Sequence, residues 1–265
     1  MRAGPPLLYA STLGAIGLGA ASVLARPVPL PVVGAASLLL GGVVLAGVFE
    51  PRLSMFADVV GHGPPRPEAP RVALTFDDGP SLDGTPRILD ALDAAACKAT
   101  FFVVGRKLDA ARGAIARDAR SRGHSIGCHS FAHDRLFAMR GSARVRDDLQ
   151  RALVAIEDAT GAPTRLFRPP IGHTNPIIAR VAEELGLSMI GFSVRAYDGL
   201  RGATAAGVAR RVIAGLRDGA IVLMHDGAER DDRAVVAVEA LGPIVAAMAG
   251  RRLAGVDLEE MLTGR

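Results

Sequence analysis

The chain of 265 residues has no tryptophan, two tyrosines and nine phenylalanines, so aromatic side chains make up only 4% of it. Grooves for long saccharides rely on aromatic faces laid against the C–H surfaces of sugar rings, and that supply is short here. Two cysteines, Cys97 and Cys128, are too few for a disulfide framework or for a zinc site of four cysteines. Excess charge of one sign is lacking as well. Lys plus Arg is 31, Asp plus Glu is 27, and the formal net charge is +4. That balance, without basic clusters interleaved with aromatics, argues against a nucleic-acid surface. Charged residues at 22% exclude disorder, while 49% hydrophobic residues is high for a soluble domain of this length. Part of the chain therefore belongs in lipid.

Two uncharged stretches, 7–25 (LLYASTLGAIGLGAASVLA) and 32–49 (VVGAASLLLGGVVLAGVF), each reach the ~18–20 residues that a membrane-spanning helix needs. RPVPLP between them reads as a tight turn. The expected arrangement is a membrane anchor over 1–60, a hairpin of two transmembrane helices in which Gly14, Gly17 and Gly19 face Gly34, Gly41 and Gly42. A signal peptide cut after Val23-Leu24-Ala25 and a pair of buried soluble helices are the competing readings. Arg2, Arg52 and Arg66 against Arg26 give a faint bias toward both ends inside the cell. Residues 61–70 (GHGPPRPEAP) read as a linker, and 71–265 as one domain.

From residue 71 onward, short apolar runs alternate with amphipathic segments. Strands are expected at 72–76, 100–104, 125–128, 165–167, 188–194 and 221–224, with a weak last one at 253–256. Val145, Leu149, Leu153 and Ile156 repeat at helical spacing, as do Ile178, Val181 and Leu185, and Val208, Val212 and Leu216. Asn175-Pro176 is a helix cap followed by a first-turn proline. This alternation predicts an α/β fold with a parallel sheet, open or closed into a barrel. Asp77, Asp78, His129, Arg168, Asp198 and His225 all fall at or just beyond strand ends, where parallel α/β folds gather residues distant in sequence.

His129 and His133 in HSFAH stand at i, i+4, which would put two imidazoles on one side of a helical turn. With one carboxylate they make a three-ligand metal site that keeps a position open for water. Asp78 can supply that carboxylate and leave Asp77 free as a base. Plainer readings exist for each: Asp77-Asp78-Gly79-Pro80 as a turn, Arg168 as a surface ion pair, Asp198 as a turn residue, His225-Asp226 as a helix cap. His62, His124 and His173 read as structural or exposed. Cys128 beside His129 would point to the opposite face of its strand, and a Cys97–Cys128 disulfide would have to join opposite strand ends.

TFDDGP (75–80), HSFAH (129–133), RPPIGH (168–173) and LMH (223–225) resemble four motifs of the NodB-type polysaccharide deacetylases, carbohydrate esterase family 4, in the family's order and over roughly 71–262. The resemblance implies a distorted (β/α) barrel of about seven parallel strands, the NodB homology domain, following the two transmembrane helices. It implies a metal-dependent hydrolase that removes N-acyl groups, chiefly N-acetyl, from amino sugars of a cell-envelope glycan or lipid-linked saccharide. Asp78, His129 and His133 would bind one divalent metal, zinc in most of the family, and metal-bound water would be the nucleophile. Asp77 would be the base, Arg168 its orienting cation, His225 the acid and Asp198 the group that charges it. Pro170 has no N–H, so Ile171 would donate to the oxyanion; among the few aromatics, Phe131, Phe137 and Tyr197 are the plausible substrate platforms. The family's substrates place the protein in a bacterial cell membrane, multi-pass, with the catalytic domain outside the cytoplasm. No nucleic acid and no obligate protein partner is expected.

The chain departs from the family where Asp-x-x-Asp-Trp is usual: the aligned stretch is Arg195-Ala196-Tyr197-Asp198-Gly199, and Ile171 stands where an aromatic is common. Scarce aromatics point to a short or lipid-linked substrate. The alternatives are a catalytically degenerate domain that binds glycan or metal, with Arg195 lowering the pKa of His225, and a deformylase of a polyprenyl-linked sugar.

Overall fold

Arg71–Gly79 (β1) is buried along nearly its whole length, as a strand is when helices cover one face of a parallel sheet and a barrel interior covers the other. The computed structural model describes residues 12–14, 16–17, 29–49, 53–227 and 235–263. Among them the chain runs α1 (Leu30–Phe49), β1, α2 (Gly84–Ala94), β2 (Ala99–Val103), α3 (Ala110–Ser121), β3 (Ser125–Cys128), α4 (Ser142–Thr160) and β4 (Leu166–Phe167). It continues through α5 (Pro176–Glu184), β5 (Ser188–Met189), β6 (Val194–Arg195), α6 (Ala205–Gly215), β7 (Ala220–His225), α7 (Val236–Gly250), β8 (Ala254–Gly255) and α8 (Leu258–Leu262). Asn175 caps α5 as expected, its side chain accepting the Ile178 N–H at 2.8 Å.

The sheet order is β5-β4-β3-β2-β1-β7-β6, with β8 beside the start of β1 and every strand pair parallel. Strands β5 and β6 lie at opposite edges, yet only residues 190–193 separate them. Five peptide steps reach at most ~17 Å, so the sheet must curl until its edges nearly meet. The result is the distorted barrel, with seven parallel strands in its main path. The single strand expected at 188–194 is in fact two strands and a crossing; in SMIGFSV nothing in the residue types marks the break. Residues 60–63 lie in the breach through isolated bridges of Val60 to Ile190 and His62 to Ala220.

Alternation along β1 sorts the core into two layers. Val72, Leu74 and Phe76 face the helices with Phe101, Val222 and Met224, and Phe76 stacks on Phe101 at 5.2 Å between centroids. Ala73 faces the barrel interior with Phe102, Leu166, Ile190 and Ile221. Helix α8 plugs the interior at the end where the strands begin, burying Leu258 and Met261 completely. Thr75 and Asp77 continue the interior row of β1 toward the open end, and the strand's pleat thus delivers a carboxylate to the barrel mouth.

Of the two transmembrane helices expected, one candidate span lies among the described residues. Leu30–Val48 is the only helix among the described residues long and apolar enough to cross a membrane, and it is 6% buried. The other expected span, 7–25, lies mostly outside the described residues, so a multi-pass placement has no support.

Gly127 in β3 lets the Phe102 ring approach the strand: a Cβ there would sit 2.5 Å from the ring carbons. Because Phe102 fills the barrel interior, Gly127→Ala should cost about 1–3 kcal/mol by overpacking. Urea unfolding monitored by circular dichroism checks this, and unchanged stability would contradict it.

Candidate functional site

A β-bulge shapes the mouth. In the register of β1 with β2, Asp77 pairs with Phe102 and Gly79 with Val103, which leaves Asp78 as the extra residue with φ +71. Simple alternation would send adjacent carboxylates to opposite faces; the bulge instead keeps both at the mouth.

Their partners differ. Arg168, 2% exposed, donates from Nη1 to Asp77 Oδ1 at 2.7 Å and to Thr75 Oγ1 at 2.7 Å. Its Nη2 donates to the Gly191 carbonyl at 2.9 Å and its Nε to the Ile190 carbonyl at 3.4 Å. The guanidinium lies 4.2 Å from the centroid of the Phe102 ring. Burial pulls its pKa down and Asp77 opposes that; an arginine in this setting stays charged. The plain surface-ion-pair reading of Arg168 therefore fails, because this pair is enclosed in the barrel.

Asp78 faces the histidines. Its Oδ1 lies 3.0 Å from His133 Nε2 and 3.4 Å from His129 Nε2. One ligand atom from each of the three residues falls within 4.8 Å of the others. Burial raises the Asp78 pKa, but the hydrogen bonds and charges of both histidines outweigh it and hold the carboxyl well below the usual range. His129 Nδ1 donates to the Arg168 carbonyl at 2.8 Å, which orients the ring with Nε2 toward Asp78, the nitrogen that a cation would take once its proton is gone. An ionised carboxylate and two imidazoles that converge on one point fit a divalent cation.

The histidine pair does not ride on a helical turn, as its spacing suggests. Ser130 and His133 have φ +66 and +49, and the loop is folded back by Asp148 of α4, which accepts the N–H groups of Phe131 at 2.8 Å and Ala132 at 3.0 Å. Asp148 escaped the sequence reading because nothing in a helix-spaced pattern marks an aspartate that bonds backbone far away in sequence. Asp226, read from the sequence only as part of a helix cap, is fully buried, accepts from Thr85 Oγ1 at 2.6 Å and secures the turn after β1.

His225 is the register partner of Asp77 on the adjacent strand. Its Nδ1 lies 2.8 Å from Asp198 Oδ1, and its backbone N–H donates to Asp198 Oδ2 at 2.7 Å. Burial lowers the pKa of this imidazole, yet Asp198, Asp78 and Asp77 carry it up to about 9. Arg195 is not among the leading influences on it. That guanidinium sits over the Phe192 and Tyr197 rings at 5.8 and 5.1 Å and, after burial, depresses His173 instead.

Pro170 and Ile171 form a short turn whose hydrogen bonds run from Gly172 N–H to Pro169 O and from His173 N–H to Pro170 O, leaving the Ile171 N–H unspent. Ile171, β-branched, has φ +62, a rare conformation that costs roughly 1–3 kcal/mol. Tyr197 has φ +58 and is 43% exposed. Thus five of the eight described non-glycine residues with positive φ, Asp78, Ser130, His133, Ile171 and Tyr197, lie around this mouth, where strain is affordable only if something else holds the loops. The Phe131 ring is spent on packing, with Arg151 over it at 3.9 Å and Gly105 against its edge. Cys97 and Cys128 are free and buried, and burial pushes the Cys128 thiol up to about 12.

Comparison with known proteins agrees with this geometry. A family profile described as polysaccharide deacetylase matches residues 65–190. A chitooligosaccharide deacetylase of Sinorhizobium fredii is 33% identical over 171 residues, covering 63% of this chain and 76% of that protein. The chain belongs to the polysaccharide deacetylase family. A peptidoglycan-N-acetylglucosamine deacetylase of Listeria monocytogenes is 42% identical over 156 residues; this is 59% of the chain but only 32% of that protein's length. Among solved structures, a family 4 acetyl xylan esterase from Clostridium thermocellum in complex with a cobalt ion superposes with TM-score 0.66 at 35% identity, covering 72% of this chain and 89% of that one. The profile match ends before Asp198 and His225, so the place of these two in the deacetylase site rests on geometry.

Without metal, the His225 imidazole should titrate near pH 9 by the Cε1–H signal in NMR, and Asp198→Asn should bring the midpoint down toward the ordinary ~6.5. Because the folded value is raised, the stability this pair adds is complete below ~6.5 and is lost as the pH climbs through about 9. A midpoint unmoved by Asp198→Asn would contradict the pairing.

Proposed function

We propose that this deacetylase-family chain is a metal-dependent hydrolase that removes N-acyl groups, acetyl foremost, from amino sugars of a cell-envelope glycan or lipid-linked saccharide. The observation that carries the reading is the Asp78, His129 and His133 donor set, within 4.8 Å, opening onto Asp77 and His225, neighbours on adjacent strands. The printed names of the relatives, deacetylases of peptidoglycan N-acetylglucosamine and of chitooligosaccharide, support acetyl removal from an amino sugar, and the cobalt ion in the esterase supports a divalent cation. Zinc is the cation we assign.

Such a cation supplies Lewis acidity, making water a usable nucleophile and polarising the acyl carbonyl. Asp77, fixed by Arg168, takes the proton of the attacking water as its oxygen bonds to the acyl carbon. The Ile171 N–H donates to the oxygen on which negative charge develops. Collapse breaks the C–N bond, and His225, held protonated by Asp198, gives its proton to the departing nitrogen. The products are a carboxylic acid and the free amino sugar; solvent then restores the proton of His225 and removes the one on Asp77.

The walls of the site suit a short or lipid-linked saccharide. Tyr197 is the exposed aromatic beside it, and at Gly199, where the family commonly has tryptophan, a Cβ would only touch the His225 ring at 3.7 Å. That side is open. A pure glycan or metal binder would have no use for the Asp77–Arg168 and Asp198–His225 pairs, which are costly to bury. We assign residues 1–60 to the membrane anchor and 71–265 to the catalytic domain, which lies outside the cytoplasm; the linker expected at 61–70 is tied to the barrel by the His62–Ala220 bridge and the Gly63 N–H to Gly219 carbonyl bond.

Asp77→Asn should retain the metal and lose about 10²–10⁴-fold in turnover, the usual contribution of a positioned base. Acetate release from N-acetylated chitooligosaccharides and lipid-linked N-acetylglucosamine, with metal analysis of each preparation, tests this. Wild-type-like turnover by Asp77→Asn would refute the assigned base, and formate as the released acid would favour the deformylase.

A further inference from the structure

Exposed apolar side chains are distributed unevenly over the catalytic domain. Beyond α1, eight large apolar side chains among the described residues are exposed, and six of them, Leu82, Leu136, Met139, Ile171, Tyr197 and Leu200, lie in loops that follow strands. These loops surround the mouth that holds Asp77, Asp78 and His225. The turns at the opposite end, before the strands, carry none. Met139 is 80% exposed and Leu200 62%, values at which a large apolar side chain gains nothing from the fold. Exposed apolar side chains gathered at one end of a domain mark a contact with something else.

What that contact is follows from α1. The helix does not end free of the domain: the Thr174 N–H donates to the Val48 carbonyl at 3.1 Å, and Thr174 Oγ1 donates to the Gly47 carbonyl at 3.2 Å. Thr174 is 2% exposed, and it belongs to the same mouth loop as Ile171. The three residues from Ile171 to Thr174 span at most ~10 Å. If α1 crosses the hydrocarbon core, its last turn emerges in a headgroup layer ~5–8 Å deep. The mouth is then within reach of that layer. Exposed Arg106, Arg135 and Arg201 belong to the same set of connections after strands, and cations there are drawn to anionic headgroups.

We propose that the catalytic mouth faces the bilayer, its apolar loop residues seated among the lipid headgroups, so that the enzyme takes an acylated amino sugar presented at the membrane surface. This deepens the preceding reading and rests on α1 being a membrane span. It gives the exposed side chains at the mouth an occupant, and it accounts for the scarcity of aromatic platforms, since a substrate held in the membrane needs no long groove.

Site-specific labelling of the full chain tests it. Cys97 and Cys128 are buried, so a single introduced cysteine is the reactive one. Leu200→Cys and Met139→Cys report on the mouth, and Ser121→Cys, exposed at the end of α3, reports on the opposite end. Each is labelled with a polarity-sensitive fluorophore and reconstituted into phosphatidylethanolamine–phosphatidylglycerol vesicles carrying a nitroxide lipid. We expect quenching at residues 139 and 200 at least about twofold stronger than at 121, as headgroup insertion requires. Equal quenching at all three, or stronger quenching at 121, overturns the orientation while leaving the membrane anchor standing. Failure of the chain to float with the vesicles overturns the anchor itself, whatever its hydrolase activity. Protection of the mouth labels by chitooligosaccharide but not by vesicles would overturn the proposal in favour of a glycan-docking surface.

Discussion

Two neighbouring carboxylates in one enclosed chamber must each find a separate positive partner, and the mouth of this barrel is organised around that need. Like charges on adjacent residues in a poorly hydrated site would force one of them to take up a proton. Here Asp77 is answered from inside the barrel by Arg168, and Asp78 from the loop side by His129 and His133. The bulge in β1 makes the separation possible: it brings both side chains to the same mouth while giving them different directions. Remove Arg168, and Asp77 is left buried and uncompensated, a situation that costs 3–5 kcal/mol where a buried pair loses one member.

This division assigns different work to the two acids. A carboxylate spent on a cation cannot also act as a base, and one clamped by a guanidinium is free to accept a proton but not to move. Arg168 itself is held by two backbone carbonyls from the crossing between β5 and β6 and by Thr75. The closure of the barrel and the position of Asp77 are therefore one structural fact. On the other side, Asp198 performs a similar service for His225, with one oxygen on the ring and the other on the backbone N–H, so the imidazole is both oriented and charged.

Much of this was legible in the sequence because its signals are local. The strand-helix alternation, the Asn175-Pro176 cap and the placement of polar residues at strand ends follow from short patterns, and TFDDGP, HSFAH, RPPIGH and LMH carry the family resemblance. What stayed hidden depends on contacts between distant segments. The 188–194 run reads as one strand because no proline or charged residue interrupts it, although curling of the sheet divides it between two edges. HSFAH reads as a helical turn because i, i+4 is helical spacing, although Asp148 bonds the loop into another shape. The bulge at Asp78 leaves no trace in residue types, since aspartate before glycine and proline suits an ordinary turn equally well. Arg195, which looked like a threat to His225, is instead diverted onto aromatic rings.

The account depends most on a single cation being shared by Asp78, His129 and His133. X-ray absorption at the zinc edge of the zinc-loaded chain measures this directly. The account predicts one zinc per chain with two imidazole nitrogens at ~2.0–2.1 Å and a carboxylate oxygen at ~2.0–2.2 Å, and one imidazole fewer in either His129→Ala or His133→Ala. A zinc environment with fewer than two imidazoles, or one that both substitutions leave unchanged, would contradict it.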